Sequence, residues 1–335
     1  MVQRDLPSTS ERQPVIGVSC HSASGMSTTA LITQLRMLGA VPVILDWKNA
    51  DAAQDATHLD GVIVMGSPPD MNPAEYGHAP HPQSGKMLGN DTPVFVDPKR
   101  ADYENTMIDA ALEHGVPLMS VCQGFQRLNV RLGATLHQHV PELLHSEDEY
   151  PTCQVQKNIP PFTPTKWIGI KQDSQLGRIA TKHGYFAPDS DASVDEDGVI
   201  WHYDNALHHQ AVQMAGDGLM VNAVSEDGLI YGVEADPEGK YAGQFILGIQ
   251  FHPEFSASMR SLDIMAAFAE AARDYAREHP HEERLRDGVH VSEQPSERSW
   301  SNLAKIPDTF ITDAQKIRDK SLGKVMMPPS FDRTL

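Results

Sequence analysis

The 335-residue chain predicts an α/β fold built on a doubly wound, mostly parallel sheet. Three observations carry that prediction. Short apolar strands alternate with helical patterns through the first half, as a parallel sheet with helical crossovers requires. A cysteine, Cys122, stands where an apolar strand meets a helix, in V-P-L-M-S-V-C-Q-G-F-Q-R-L-N-V-R-L-G over Val116–Gly133. His252 and Glu254 close another apolar strand 130 residues later, and a sheet whose strands end in one shared crevice unites such distant positions.

In chain order, the apolar run Pro14–Cys20 reads as a first strand and Thr28–Leu38 as a helix closed by Gly39. Val41–Leu45 returns as a strand, and Val62–Met65 is a third. Asp102–His114 is a helix ended by Gly115, followed by the strand Val116–Val121. Phe125, Leu128 and Leu132 then recur at helical spacing until Gly133 stops the pattern. Leu219–Val224 and Leu229–Val233 flank Glu226-Asp227-Gly228, a hairpin signal, so an antiparallel pair is expected in the second half. Gly77–Arg100, rich in Pro, His and Gly, reads as a loop crossing near the pocket. Ala187–Gly198 is acidic without hydrophobic period and reads as a mobile insertion. The domain is placed at 14–278, with a polar extension over 279–335 that wraps the surface, is partly disordered, or docks a second copy of the chain as a homo-oligomer.

The chemistry gathers on three residues. A thiol at a helix N-terminus meets unpaired N–H groups and the positive end of the helix dipole, which favour the thiolate, and Gly124 suits a turn with little room for a Cβ. A buried structural cysteine remains the alternative for a C-x-G junction alone. His252 and Glu254, two apart on an extended segment, point to the same side, so the carboxylate can orient the imidazole that serves the thiol.

C-Q-G-F-Q together with G-I-Q-F-H-P-E resembles the class I glutamine amidotransferase superfamily. Three further stretches, V-I-V-M-G-S-P-P-D-M-N-P-A-E-Y-G (Val62–Gly77), D-P-K-R-A-D-Y-E (Asp97–Glu104) and N-A-L-H-H-Q-A-V (Asn205–Val212), resemble its γ-glutamyl-γ-aminobutyrate hydrolase branch, peptidase family C26. The resemblance spans about Pro14 to Arg273 and implies a flavodoxin-like parallel sheet with an antiparallel extension. It implies Cys122 as nucleophile, His252 as base and Glu254 as its orienter. The N–H groups of Gly66 and Gln123 would form the oxyanion hole, and Ser67, Gln126, His208, His209 and Gln210 would contact substrate. One position departs: that branch usually carries Arg after the nucleophile, and this chain has Gln123. The change bears on the far end of the substrate, since the oxyanion needs only a backbone N–H.

Composition narrows the partners. With 27 basic against 45 acidic residues the formal charge is −18, which argues against nucleic acid or an anionic membrane as partner. No apolar run approaches the ~20 residues of a bilayer span, and Met1–Arg12 lacks a signal-peptide core, so a cytoplasmic location is expected. Three scattered cysteines, Cys20, Cys122 and Cys153, make no disulfide framework. No cofactor and no metal are expected: His208 and His209, adjacent on an extended segment, point opposite ways without a carboxylate to complete a ligand set. Ser24–Thr28 lacks the Lys of a phosphate loop and reads as a helix N-cap. The expected activity is hydrolysis of a small γ-glutamyl amide to glutamate and an amine. A glutaminase subunit feeding ammonia to a synthetase, or a non-catalytic binding protein on the same fold, are the alternatives.

Overall fold

A computed structural model describes residues 13–48, 52–86, 91–143, 160–181, 195–255 and 259–279. The first half is β1 (Val15–Ser19), α1 (Met26–Met37), β2 (Val41–Ile44), α2 (Ala52–Thr57), β3 (Gly61–Val64), α3 (Pro98–His114), β4 (Leu118–Val121) and α4 (Gln123–Arg131). The second half contributes β5 (Leu136–His137), α5 (Val140–Leu143), β6 (Lys166–Lys171), α6 (Gln175–Thr181), β7 (Val199–Asp204), β8 (Ala211–Val212), β9 (Leu219–Ser225), β10 (Ile230–Ala235), β11 (Ile246–Ile249) and α7 (Met259–Glu278). Among the described residues the strands form one sheet in the order β2-β1-β3-β4-β11-β10-β9-β6-β7, with β5 and β8 paired beside β10.

Five strands, β2-β1-β3-β4-β11, run parallel, the flavodoxin-like arrangement expected. From β11 outward every pairing is antiparallel, and β9 and β10 form the hairpin read from Glu226-Asp227-Gly228. Period-two alternation sorts the parallel strands into two cores. Ile16, Val18, Ile63, Met119, Val121, Leu247 and Ile249 face α1 and α7, packing on Leu31, Leu35 and Phe268. Val15, Val62, Val64, Leu118 and Ile246 face the other way, toward Tyr103, Met107 and Ile108 of α3 and Phe125 and Leu128 of α4. Each fully buried large apolar side chain here contributes roughly 1.5–3 kcal/mol, so both faces are needed to hold so long a sheet. No helix among the described residues is long and apolar enough to cross a membrane.

Several boundaries shift by one to four residues, and two of these shifts have clear local reasons. Helix α3 begins at Pro98 rather than Asp102, because Asp97 caps it by accepting the Lys99 N–H at 2.9 Å and Pro98 fits the first turn, where no N–H is needed. The expected loop Gly77–Arg100 therefore yields its last three residues to the helix. Strand β4 begins after Pro117, whose carbonyl still accepts from Val62. Of the acidic insertion, residues 195–198 form a turn in which the Asp195 carboxylate accepts the Val199 N–H and the Trp201 indole N–H. Residues 187–194, the extension from 280 and Cys153 lie outside the described residues.

The β4–α4 junction allows no side chain at Gly124, where an added Cβ would lie 2.1 Å from the Val64 carbonyl oxygen in the neighbouring strand. Gly124→Ala is therefore expected to lower the unfolding free energy by about 2–3 kcal/mol or more, read as a fall in the urea midpoint. An unchanged midpoint would contradict this packing.

Candidate active site

Cys122 reverses the chain within a single residue. Its N–H bonds the Ile249 carbonyl at 2.8 Å, extending the β4–β11 ladder, while its own carbonyl accepts the Gln126 N–H at 3.1 Å and starts α4. Meeting both demands forces φ 54°, ψ −111°, and Cys122 is the one non-glycine at positive φ among the described residues. Such a backbone costs of order 1–3 kcal/mol and persists only where its surroundings impose it. The result is a thiol raised at the carboxyl end of the sheet.

His252 arrives from β11, the strand beside β4. Asn205, just beyond β7, clamps its backbone with two bonds: the amide Nδ2 donates to the His252 carbonyl and Oδ1 accepts the His252 N–H, both at 2.9 Å. The ring's Nδ1 lies 2.7 Å from Glu254 Oε1, which leaves Nε2 for the Cys122 thiol, to which the ring is also hydrogen-bonded. Burial alone would lower the His252 pKa. The opposing charges of Glu254 and Cys122, with their hydrogen bonds, outweigh that and hold it well above 6.5. Two residues of α1 steady Glu254: Ser27 Oγ donates to its Oε1, and the Gln34 amide donates to its backbone carbonyl.

Gly66 lies against both groups, and an added Cβ would stand 2.9 Å from Cys122 Cβ and 3.2 Å from His252 Cε1. Gln123 opens α4, where the first N–H groups have no intrahelical acceptor. Beside the thiol is a small cavity lined by Ser67, Pro69, Asp70, Gln123, Gln126 and Leu207–Gln210, with about 10 Å³ of free space. All the residues read from the sequence as substrate contacts thus meet around Cys122. Several are already engaged with the protein. Gln126 Nε2 donates to the Gln210 carbonyl at 2.9 Å and Gln250 Oε1 at 3.1 Å. His208 uses Nδ1 on the Gln210 carbonyl and Nε2 on Tyr231 Oη, and its pKa is lowered by burial to about 4, so it is neutral at pH 7. His209 points the other way, with Nε2 on both Asp70 oxygens at 2.8–2.9 Å.

Gln123 also folds onto the wall. Its Oε1 accepts from Ser67 Oγ at 3.1 Å and its Nε2 lies 3.1 Å from Met71 Sδ, so no Arg or Lys among the described residues lines the cavity. No three His, Cys, Asp or Glu among the described residues converge as metal ligands. Sequence reasoning missed Ser27, Asn205 and Asp70. The helix does start near Ser24–Thr28, but Gly25 is the N-cap and no side chain caps it; Ser27 Oγ is spent on Glu254 and Thr28 Oγ1 on the Ser22 carbonyl. The partner of Asp70 in the wall lies 139 residues away, that of Asn205 47 and that of Ser27 227, separations that leave no periodic trace.

A profile of the Peptidase C26 family matches residues 14–254. A Mycobacterium tuberculosis (strain H37Rv) protein provisionally named glutamine amidotransferase Rv2859c is 31% identical over 244 residues, covering 72% of this chain and 66% of that protein, just under two thirds of its length. The gamma-glutamyl-gamma-aminobutyrate hydrolase of Escherichia coli O157:H7 is 28% identical over 262 residues, 74% of this chain and 89% of that one. Among solved structures, a Thermoplasma acidophilum protein provisionally described as a GMP synthase component superposes with a TM-score of 0.49 at 16% identity, covering 80% of this chain and 98% of that chain.

The raised His252 pKa sets a sign for stability. Because the folded chain holds this proton more tightly than the unfolded one, the stabilisation is complete below pH 6.5 and is lost as pH rises through the raised folded value. His208, lowered instead, acts in the opposite sense as pH falls from 6.5 toward about 4, but equally in wild type and a His252 variant. The difference in unfolding free energy between wild type and His252→Asn is expected to be largest below pH 6.5 and to shrink above it, measured by denaturant titration at each pH. A difference that widens with rising pH would contradict the assignment of the proton.

Proposed function

This chain belongs to the Peptidase C26 family, and we propose that it is a cysteine-dependent hydrolase of γ-glutamyl amides. The observation that carries the proposal is a thiol on a strained strand-to-helix turn, hydrogen-bonded to a histidine whose other nitrogen rests on a buried carboxylate. Such a set splits a hard amide hydrolysis into two easier steps. Cys122 sulfur attacks the γ-carbonyl carbon, and the carbonyl electron pair moves onto oxygen, where the N–H groups of Gly66 and Gln123 receive the charge. The pair returns, the C–N bond breaks, and the amine departs with a proton from the His252 imidazolium. His252 then takes a proton from water as its oxygen attacks the thioester; glutamate leaves and the thiolate is restored. Glu254 keeps the imidazole in the required tautomer throughout.

The cavity supports a statement about the leaving amine. Its one carboxylate, Asp70, is bound to His209, His208 is neutral, and Gln123 stands where the resembling branch has a cation. An acidic amine would find no partner, so neutral or cationic leaving amines are favoured. At about 10 Å³ the present space holds roughly one water, and binding must displace side chains that bridge it through Met71, namely Gln123 and Gln210. The second reading, a glutaminase that hands ammonia to a synthetase, is favoured by the name of the Mycobacterium tuberculosis relative.

Cys122→Ala is expected to abolish hydrolysis, by roughly 10⁴-fold or more in kcat, while leaving the circular dichroism unchanged; His252→Ala should lose comparably and Glu254→Gln less. Full turnover in a folded Cys122→Ala protein would refute the mechanism. Comparing kcat/KM for γ-glutamyl amides of acidic, neutral and cationic amines against glutamine decides between the readings. The hydrolase should prefer substituted amides without any partner, and Gln123→Arg should move the ranking toward acidic amines. Activity on glutamine alone, and only with a synthetase present, would overturn the proposal.

A further inference from the structure

Beneath the carboxyl ends of β1, β3 and β4 lies a cluster of charge that the hydrolytic steps above do not use. Arg100 and Glu104, one turn apart on α3, and Arg127 on α4 are fully buried, with relative exposures of 1%, 0% and 0%. Arg100 Nε donates to Glu104 Oε1 at 2.9 Å. Arg127 Nε stands 3.0 Å from Glu104 Oε2 as an ion pair without hydrogen-bond alignment, and Arg127 Nη1 donates to Glu75 Oε2 at 2.8 Å. Two guanidiniums thus face two carboxylates, and the cluster is neutral.

Arg100 Nη2 also stands 2.8 Å from Glu104 Oε1, and Arg100 reaches a backbone acceptor as well. Its Nη2 donates to the Met65 carbonyl at 3.3 Å, a long bond from a charged donor. Met65 C=O and Gly66 N–H belong to one planar peptide unit, so whatever holds that carbonyl also aims that N–H. The other side of Met65 is tied too: its N–H donates to the Ser19 carbonyl at 3.0 Å, and Ser19 Oγ donates to Glu104 Oε1 at 2.9 Å. Ser19, Met65, Arg100 and Glu104 close a ring of hydrogen bonds around the turn that presents Gly66. Glu104 reaches from this ring to Arg127, five residues into the helix that Cys122 begins.

Packing alone does not call for this device. Buried ion pairs are weak contributors to stability, and apolar side chains of similar volume would fill the space as well. What an apolar core cannot supply is a cation directed at a carbonyl, which fixes the peptide plane and polarises the amide so that its N–H becomes a stronger donor. Resting on the proposed acyl transfer at Cys122, we propose that Arg100, locked by Glu104, is a positioning residue for the oxyanion hole: it holds and polarises the Met65–Gly66 peptide, while the Glu104–Arg127 pair keeps that peptide in register with the Gln123 N–H at the head of α4.

The test separates oxyanion stabilisation from nucleophile strength. Acylation of Cys122 by γ-glutamyl-p-nitroanilide places charge on a carbonyl oxygen; alkylation of the same thiol by iodoacetamide does not. In full-length Arg100→Met the acylation rate is expected to fall about 10- to 100-fold, less than for outright loss of an oxyanion donor, with alkylation changed by less than about twofold. The Gly66 amide nitrogen resonance should move, because the hydrogen bond on its own peptide carbonyl is gone. Arg100→Lys, which keeps the cation but not its reach, replaces Arg100→Met if that protein does not fold, with the same expectation. Unchanged acylation, or acylation and alkylation falling together, overturns the inference. If the wild-type protein is not acylated at all, the hydrolase reading fails by itself, and the Gly66 resonance decides here: a resonance unmoved in the variant overturns the positioning role.

Discussion

One backbone hydrogen bond, from the Cys122 N–H to the Ile249 carbonyl, joins the two halves of the chain at the point where chemistry is possible. It exists because β4 and β11 are parallel neighbours although their residues are more than a hundred positions apart. Parallel strands end on the same side, so a residue just past β4 and a residue just past β11 arrive together without a long loop to carry either. Everything else at the site adjusts geometry within that meeting: the turn at Cys122, the Asn205 clamp on His252, and the grip of α1 on Glu254.

The site also shows how burial and pairing compete. Desolvation opposes the charge of His252 and of each member of the Arg100–Glu104–Arg127 cluster, yet each keeps opposite charge within hydrogen-bond reach. Breaking a buried pair from one side costs about 3–5 kcal/mol, far more than the pair adds over an apolar replacement. Such groups are therefore poor sources of stability but strict determinants of position. His208, which faces no comparable counter-charge, goes the other way and stays neutral. Two buried histidines less than fifty residues apart thus differ in charge because only one has a carboxylate hydrogen-bonded to it.

Much of this was legible in the sequence. The alternation of short apolar runs with helical periods is enough for the five parallel strands, and the two-sided burial of Ile16 against Val15, or Ile63 against Val62, follows from period two. The elbow was legible because Cys122 and Gly124 sit where a strand pattern becomes a helix pattern. The opposite directions of His208 and His209 were legible for the same geometric reason. The start of α3 was readable in Asp97-Pro98, but the Pro, His and Gly content upstream masked it. Ser27, Asn205 and Asp70 were not readable, since a hydroxyl, an amide or a carboxylate shows no preference for a distant partner until the sheet order is known. Nor could the sequence say that Gln123 would bend toward Ser67 and Met71.

Among the described residues, strand β2 lies at the rim of the sheet and is only four residues long, V-P-V-I. The N–H groups of Val41 and, just past the strand, Leu45 turn inward to the Pro14 and Val18 carbonyls, so the outward positions fall to Pro42 and Ile44. Proline has no N–H. A foreign strand approaching this rim would find a single donor, that of Ile44, where a growing ladder needs a regular row. Among the described residues, the half of the sheet that builds the crevice thus offers little to templated growth at its outer strand, which guards against aggregation by strand addition.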